Sequence, residues 1–430
     1  MSSPAWRPHT PQQEAPAADS LDGELYSDAF TVDPYPTYRR LRDEDPVHWV
    51  ERTQHWLITR YDDVNMLFPR HELLSNFGFQ RSYFSQLDPG VRRLVPLLEA
   101  RSNTPSVLTT DPPEHTRLRR AIQEAFSSTT LDRLEQIIRA NVDRLLNAAC
   151  SAGPQFDFMA ALAYPLPALV LADLLGIPPR DHARMQGWST SLLMFISRPD
   201  PTAEVTAAAA VAAEASFADW FAYLEALVAS RRDEPLNDLA TVLVSFGDAD
   251  ERLTTTELIS NFVLFMGAGH ETTTGLLANG LHALLAHPEQ LADLRAERSL
   301  IPAAVEEMLR WETPVQRLRR AVARDFELGG KTLRRGDSVE LTPGAANRDP
   351  RRFQEPDRFD IHRVDARHVS FGKGIHFCVG AGLGRLEAKL VFEALLDRFH
   401  HLRRADGWQP TWVRSSLLRR LTDVWVQAEW

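Results

Sequence analysis

Cysteine is almost missing: the 430-residue chain has two, Cys150 and Cys378. They could form one disulfide at most, which excludes a stapled secreted scaffold and leaves no cysteine cluster for an iron–sulfur centre. Lysine is nearly as scarce, since Lys331, Lys373 and Lys389 leave 45 of the 48 basic residues as arginine. That bias concerns coding composition rather than chemistry. Basic side chains are outnumbered by 58 acidic ones, for a net charge of −10, which argues against nucleic acid as a partner. Long apolar runs are absent too. The nearest approach, 205–229, is interrupted by Glu214, Asp219 and Glu225 and reads as an amphipathic helix, not a membrane span. The first 20 residues carry four prolines and no apolar core, so neither a signal peptide nor an anchor is read there. With 44% hydrophobic and 25% charged residues, the composition is that of an ordinary globular protein, expected to be cytoplasmic and off the membrane.

Residues 1–22 are expected to form a disordered tail and 23–430 a single domain. Residues 71–110 show no sustained period yet carry Phe77, Phe79 and Phe84, which suits a functional loop more than a linker. From residue 113 helical patterns dominate, at 113–126, 131–150, 163–175, 179–196, 202–231, 237–245, 255–286, 288–298, 301–311 and 379–399. Short strands are expected at 46–50, 56–59, 320–323, 326–328, 338–341 and 424–430. The fold class is therefore mainly α with small β-sheets, the strands being drawn from distant parts of the chain.

Thr254-Thr255-Thr256-Glu257 has the spacing of a capping box, and Pro288 marks where the helix it opens must stop. The middle of that helix runs Phe265-Met266-Gly267-Ala268-Gly269-His270-Glu271-Thr272-Thr273-Thr274. Each glycine costs about 1 kcal/mol against alanine, and mid-helix threonines compete for the carbonyl four residues back. Two readings fit: a helix crossing that needs close backbone approach, or a groove over a flat cofactor flanked by an acid and an alcohol.

The second signal is Phe371-Gly372-Lys373-Gly374-Ile375-His376-Phe377-Cys378-Val379-Gly380, a complete F-x-x-G-x-x-x-C-x-G. A lone buried cysteine is most often a small core residue. Two glycines beside it, just before a helix, suggest instead a tight loop in which a helix N-terminus stabilises a thiolate, a candidate haem-iron ligand. With Glu307-Met308-Leu309-Arg310 and Pro356-Asp357-Arg358-Phe359, these motifs stand in the order of the cytochrome P-450 family. From about Tyr26 to Trp430 the chain resembles its soluble bacterial, actinobacterial-type haem-thiolate monooxygenases. Gly382 and Gly384 depart from the bulkier residues usual there.

The resemblance implies the family's triangular-prism fold, with haem b between the central helix and the cysteine-loop helix. It makes Cys378 the iron ligand, sets Ala268 against the haem and assigns the propionates to His115, Arg119, Arg320, His368 and His376. It gives Thr272 a hydrogen bond to dioxygen and Glu271 the relay of protons from solvent. Thr273 and Thr274, about 100° and 200° further round, are expected to point elsewhere. Glu307 and Arg310, one turn apart, would pair, with Arg358 as third member of a buried network. The substrate pocket would draw on Phe77, Phe79, Phe84, Met194, Phe195, Phe265, Val315, Leu318 and Leu417, and so take a bulky hydrophobic specialised metabolite, polyketide-like or similar. Hydroxylation or epoxidation with O2 and electrons from a ferredoxin-type donor is the expected activity. A peroxide-driven peroxygenase, a ring-coupling enzyme or an inert recruitment module are the alternatives.

Overall fold

A computed structural model describes residues 20–77, 84, 87–102, 104–126, 128–196, 207–248 and 251–430. Ser20 caps a helical turn at Leu21–Glu24, and the Asp22 carboxylate is buried, accepting from His48 and from the Glu51 backbone N–H.

Helices make the bulk of the chain, and one of them organises the rest. Thr255–Ala286 begins at the anticipated capping box, in which Thr254 accepts from the Glu257 N–H and Glu257 accepts from the Thr254 N–H. Its 32 residues span about 48 Å, through the main hydrophobic core. His182–Ile196, Ala207–Asp233, Ile301–Trp311 and Ala381–Arg398 all pack on it. The Ala-rich segment forms Ala207–Asp233. It buries Ala210, Ala213, Phe217, Trp220, Leu224 and Val228 at helical spacing, while Asp219 and Glu225 face outward.

The sheets join distant segments, as the strand pattern suggested. β1 (Val47–Val50), β2 (His55–Ile58), β8 (Ser338–Leu341), β5 (Leu318–Val322) and β3 (Leu74–Ser75) pair in that order. β2 runs parallel to β8 with His55 opposite Ser338, and β5 runs antiparallel to β8 with Arg320 opposite Val339. β4 (Gln155–Asp157), β10 (Trp425–Glu429) and β9 (His401–Arg404) form a second sheet, and β6 (Phe326–Leu328) with β7 (Lys331–Leu333) a hairpin. Strand alternation sets Leu318 and Arg320 on one face of β5. Residues 71–110 are not featureless: β3 and the short helices Pro89–Arg92 and Pro96–Arg101 lie within them. Among the described residues no helix is long and apolar enough to cross a membrane.

The close-approach reading of the glycine-rich helix holds. A Cβ on Gly269 would meet Leu171 Cδ1 at 3.0 Å, and one on Gly280 would meet Met308 Sδ at 2.6 Å, so these are crossings. Gly267, Ala268 and Gly269 also border a cavity.

Candidate functional site

That cavity measures about 530 Å³ and lies between the central helix and the cysteine loop. Cys378 reaches it from a loop closed by its own N–H on the Phe371 carbonyl at 2.9 Å. The loop needs Gly374: its φ is +71°, and a Cβ there would lie 2.5 Å from Pro69 Cα. Gly384, in the first turn of Ala381–Arg398, is different, because a Cβ would meet only Thr273 Oγ1 at 3.8 Å. Opposite signs are therefore expected. Gly374→Ala should cost about 1–2 kcal/mol or more, and Gly384→Ala should add about 0.4–1 kcal/mol, both read from thermal unfolding.

Burial dominates the Cys378 thiol and raises its pKa, although the Gly380 N–H and the Arg119 and Arg385 guanidinium groups pull it down. The Gly380 N–H favours a thiolate, and an iron ion against the sulfur would favour it further.

Arg119, Arg320 and His376 are among the basic side chains that border the same cavity. Arg119 has no side-chain partner among the described residues. Arg320, 6% exposed, donates only to the Arg319 carbonyl at 2.7 Å. Burial brings Arg320 down to about 10, with Asp111 opposing. The Nε2 of His376 is buried without a hydrogen bond, since Asp111 Oδ1 at 4.0 Å lies beyond reach. A buried cation such as Arg320 left without an anion is costly, and the unbonded Arg119 and His376 N–H groups add donors, so this end of the cavity suits a ligand carrying carboxylates. A group with two propionates and a metal that takes a thiolate fits these residues. His115 does not border the cavity. Its ring lies 4.3 Å from that of His376, and burial first, then His376, lower its pKa to about 4.

His368 lies apart from these three. Its Nε2 meets Glu306 Oε2 at 3.2 Å and its Nδ1 accepts from the Ser370 N–H, and it does not border the cavity. Glu306 also takes two bonds from Arg385, at 2.6 and 2.9 Å. Burial would raise this carboxyl, yet Arg385 and His368 hold it at about 2. Arg385, whose guanidinium lies 4.4 Å from the Phe371 ring centre, thus ties the cysteine loop to Ile301–Trp311. Reading the sequence motif by motif passed over Arg385.

Glu307 and Arg310 pair as expected, through two bonds of 2.7 Å, with both side chains fully buried. The third member is Arg363, whose Nε lies 3.1 Å from Glu307 Oε2. Arg358 is not in the network: its side chain is 60% exposed beside Glu355, and only its carbonyl is used, by Arg310 at 3.0 Å.

On the central helix, Thr272 borders the cavity and its hydroxyl donates to the Ala268 carbonyl at 2.5 Å. Thr273 borders it as well, against expectation, because Ala381–Arg398 packs beneath its face of the helix, whereas Thr274 is buried. Glu271 points away from the cavity. Arg420 Nε holds one of its oxygens at 2.7 Å, and Thr190 Oγ1 donates to the other at 3.3 Å. Thr190 is bonded in turn to the Tyr164 hydroxyl.

Of the expected pocket residues, Phe84, Phe265, Val315, Leu318 and Leu417 border the cavity. Phe77 does not, and Phe195 is buried with its ring centre 6.5 Å from that of Phe84. Phe79 and the Met194 side chain lie outside what the structure describes. Leu171, Leu192, Phe217 and Phe221 add to the apolar wall.

The profile of the Cytochrome P450 family matches residues 217–418. Over 385 residues the chain is 38% identical to the cytochrome P450 monooxygenase PikC of Streptomyces venezuelae, covering 88% of this chain and 86% of that one. It is 38% identical to cytochrome P450 107B1 of Saccharopolyspora erythraea over 92% of this chain and 95% of that one. The solved structure of PksS, the cytochrome P450 of the Bacillus subtilis bacillaene polyketide synthase, superposes with a TM-score of 0.81 at 31% identity, covering 94% of this chain and 99% of that one.

Proposed function

This chain belongs to the bacterial cytochrome P450 family of monooxygenases, and from that premise we propose that it oxygenates a bulky, mainly hydrophobic specialised metabolite of polyketide type, using O2 and electrons from a ferredoxin-type donor. The observation that carries the reading is one cavity bordered by Cys378, by the unpaired Arg119, Arg320 and His376, and by the small-residue stretch of the central helix. PikC is a monooxygenase by name and PksS belongs to a polyketide synthase, which supports that substrate class.

When bound, haem b supplies the reductive activation of dioxygen, and thiolate ligation favours O–O cleavage. Cys378 would donate its sulfur to the iron. Arg119, Arg320 and His376 would bind the propionates, each charge-assisted hydrogen bond contributing about 1.5–3 kcal/mol. Gly267 and Ala268 leave room against the helix. The Thr272 hydroxyl, now on the Ala268 carbonyl, stands at the cavity edge where it can hold or pass a proton. Glu271 accepts from the Thr190 hydroxyl, itself bonded to the Tyr164 hydroxyl, which gives a path for protons on the other side, and Arg420 Nε donates to its second oxygen. The wall of Phe84, Phe217, Phe221, Leu171 and Phe265 excludes water and sorts substrates by shape.

The test is the ratio of product to reductant consumed, with any compound that shifts the haem spectrum on binding. Thr272→Ala is expected to keep haem and substrate but to release hydrogen peroxide in place of product. Glu271→Gln is expected to slow reductant consumption itself, by about 100-fold. Thr274→Ala is expected to stay coupled. A fully coupled Thr272→Ala enzyme would remove Thr272 from the chemistry.

A further inference from the structure

We propose that Arg101 is a specificity-determining residue that receives an anionic oxygen group of the substrate, so that the compounds taken are apolar bodies carrying a carboxylate or a phosphate. The proposal rests on the monooxygenase reading of this cavity and narrows it.

Arg101 is the last residue of the short helix Pro96–Arg101, and its side chain borders the cavity. Its guanidinium carbon lies 4.1 Å from the centre of the Phe221 ring, itself a cavity wall. Leu98 and Phe217 complete this apolar corner. No carboxylate pairs with Arg101 among the described residues, and its guanidinium makes no hydrogen bond there. The acids nearby are engaged elsewhere. Both oxygens of Glu99 face Arg92 Nε at 3.0 Å. Glu214 turns inward from Ala207–Asp233 and accepts from the Leu97 and Leu98 N–H groups at 2.7 and 3.1 Å. Those bonds satisfy free N–H groups of the short helix and fasten it to Ala207–Asp233, which fixes where Arg101 emerges.

Other cations of the cavity have tasks. Arg317 and Arg319 lie 3.7 and 2.7 Å from Glu340, and Arg119 and Arg320 border the end with His376. Among the described residues, Arg101 alone stands unpaired among the apolar side chains of the substrate wall. An aromatic ring against one face of a guanidinium orders its plane and strips water from it, while the in-plane N–H donors stay free. That fork matches two oxygens of a carboxylate or phosphate, in a setting where a neutral ester gains far less.

Laurate, methyl laurate and dodecyl phosphate distinguish the possibilities, titrated into holoenzyme and read by the haem absorbance shift and tryptophan quenching. The wild type is expected to bind at least one of the anions about tenfold tighter than the ester, a difference of about 1.4 kcal/mol. Arg101→Gln should erase that preference and Arg101→Lys should retain part of it. Tighter laurate identifies a free carboxylic acid as the ligand chemistry, and tighter dodecyl phosphate a phosphate such as a carrier arm presents. Equal affinity for ester and anions, no binding of either anion, or a preference unchanged in Arg101→Gln would overturn the proposal. A thiolate-type carbon monoxide spectrum recorded first on each preparation separates this failure from failure of the monooxygenase reading.

Discussion

Cys378→Ser is expected to eliminate the thiolate-type carbon monoxide spectrum of the reduced protein and, with it, substrate oxygenation. Serine is close in size, so the loop, held by the Cys378 N–H on the Phe371 carbonyl and by Gly374, should persist. What is lost is a soft anionic sulfur: an alcohol has a far higher pKa and cannot give the iron the same electron density. Haem may still be counted in the variant by its absorbance, because Arg119, Arg320 and His376 remain. Cys150 provides the control. It lies in Ser128–Ala152, away from the cavity lining, and Cys150→Ser is expected to leave the spectrum unchanged. Retention of the band in Cys378→Ser with its loss in Cys150→Ser would reverse the ligand assignment.

Glu307→Ala is expected to cost about 3–5 kcal/mol, a large share of the about 5–15 kcal/mol that holds an ordinary domain folded. Arg310, with no exposed surface, spends its donors on Glu307 and on the carbonyls of Asn347, Pro356 and Arg358. Removing Glu307 leaves Arg310 and the 10%-exposed Arg363 facing each other without the carboxylate between them, and frees the Asp360 N–H. The variant should show a markedly lower unfolding midpoint and poor haem content. Arg363→Ala should be destabilising in the same sense, whereas Arg358→Ala, at an exposed pair, should stay within about 0.5 kcal/mol of wild type. Equal effects of Arg358→Ala and Arg363→Ala in chemical denaturation would contradict the arrangement.

These two residues show what the sequence could convey. Local chemistry was legible. A capping box and a following proline defined Thr255–Ala286 to the residue, and the i, i+3 spacing of Glu307 and Arg310 announced their pair. The cysteine loop announced its tight turn through the glycine that the turn requires. Contacts that depend on the path of a loop were not legible. Whether Arg358 or Arg363 turns inward is decided by the irregular chain from 354 to 363, which has no period to read. Glu271 meets Arg420 across 149 positions, and Glu214 looked like a surface charge until its helix packed on Pro96–Arg101. His368 carried the same residue type as His376 at a neighbouring site, and only packing shows that Glu306 engages one and not the other. Short strands such as β3 and β4, of two and three residues, contain too few positions for alternation to emerge.

Whether one cavity holds haem with Cys378 as its iron ligand is decided by anomalous diffraction at the iron absorption edge, from crystals of the holoenzyme. A single iron peak is expected at bonding distance from Cys378 Sγ, with the propionate oxygens on Arg119, Arg320 and His376. An iron peak bonded to a histidine or to Cys150, or propionates directed away from those three side chains, would contradict it.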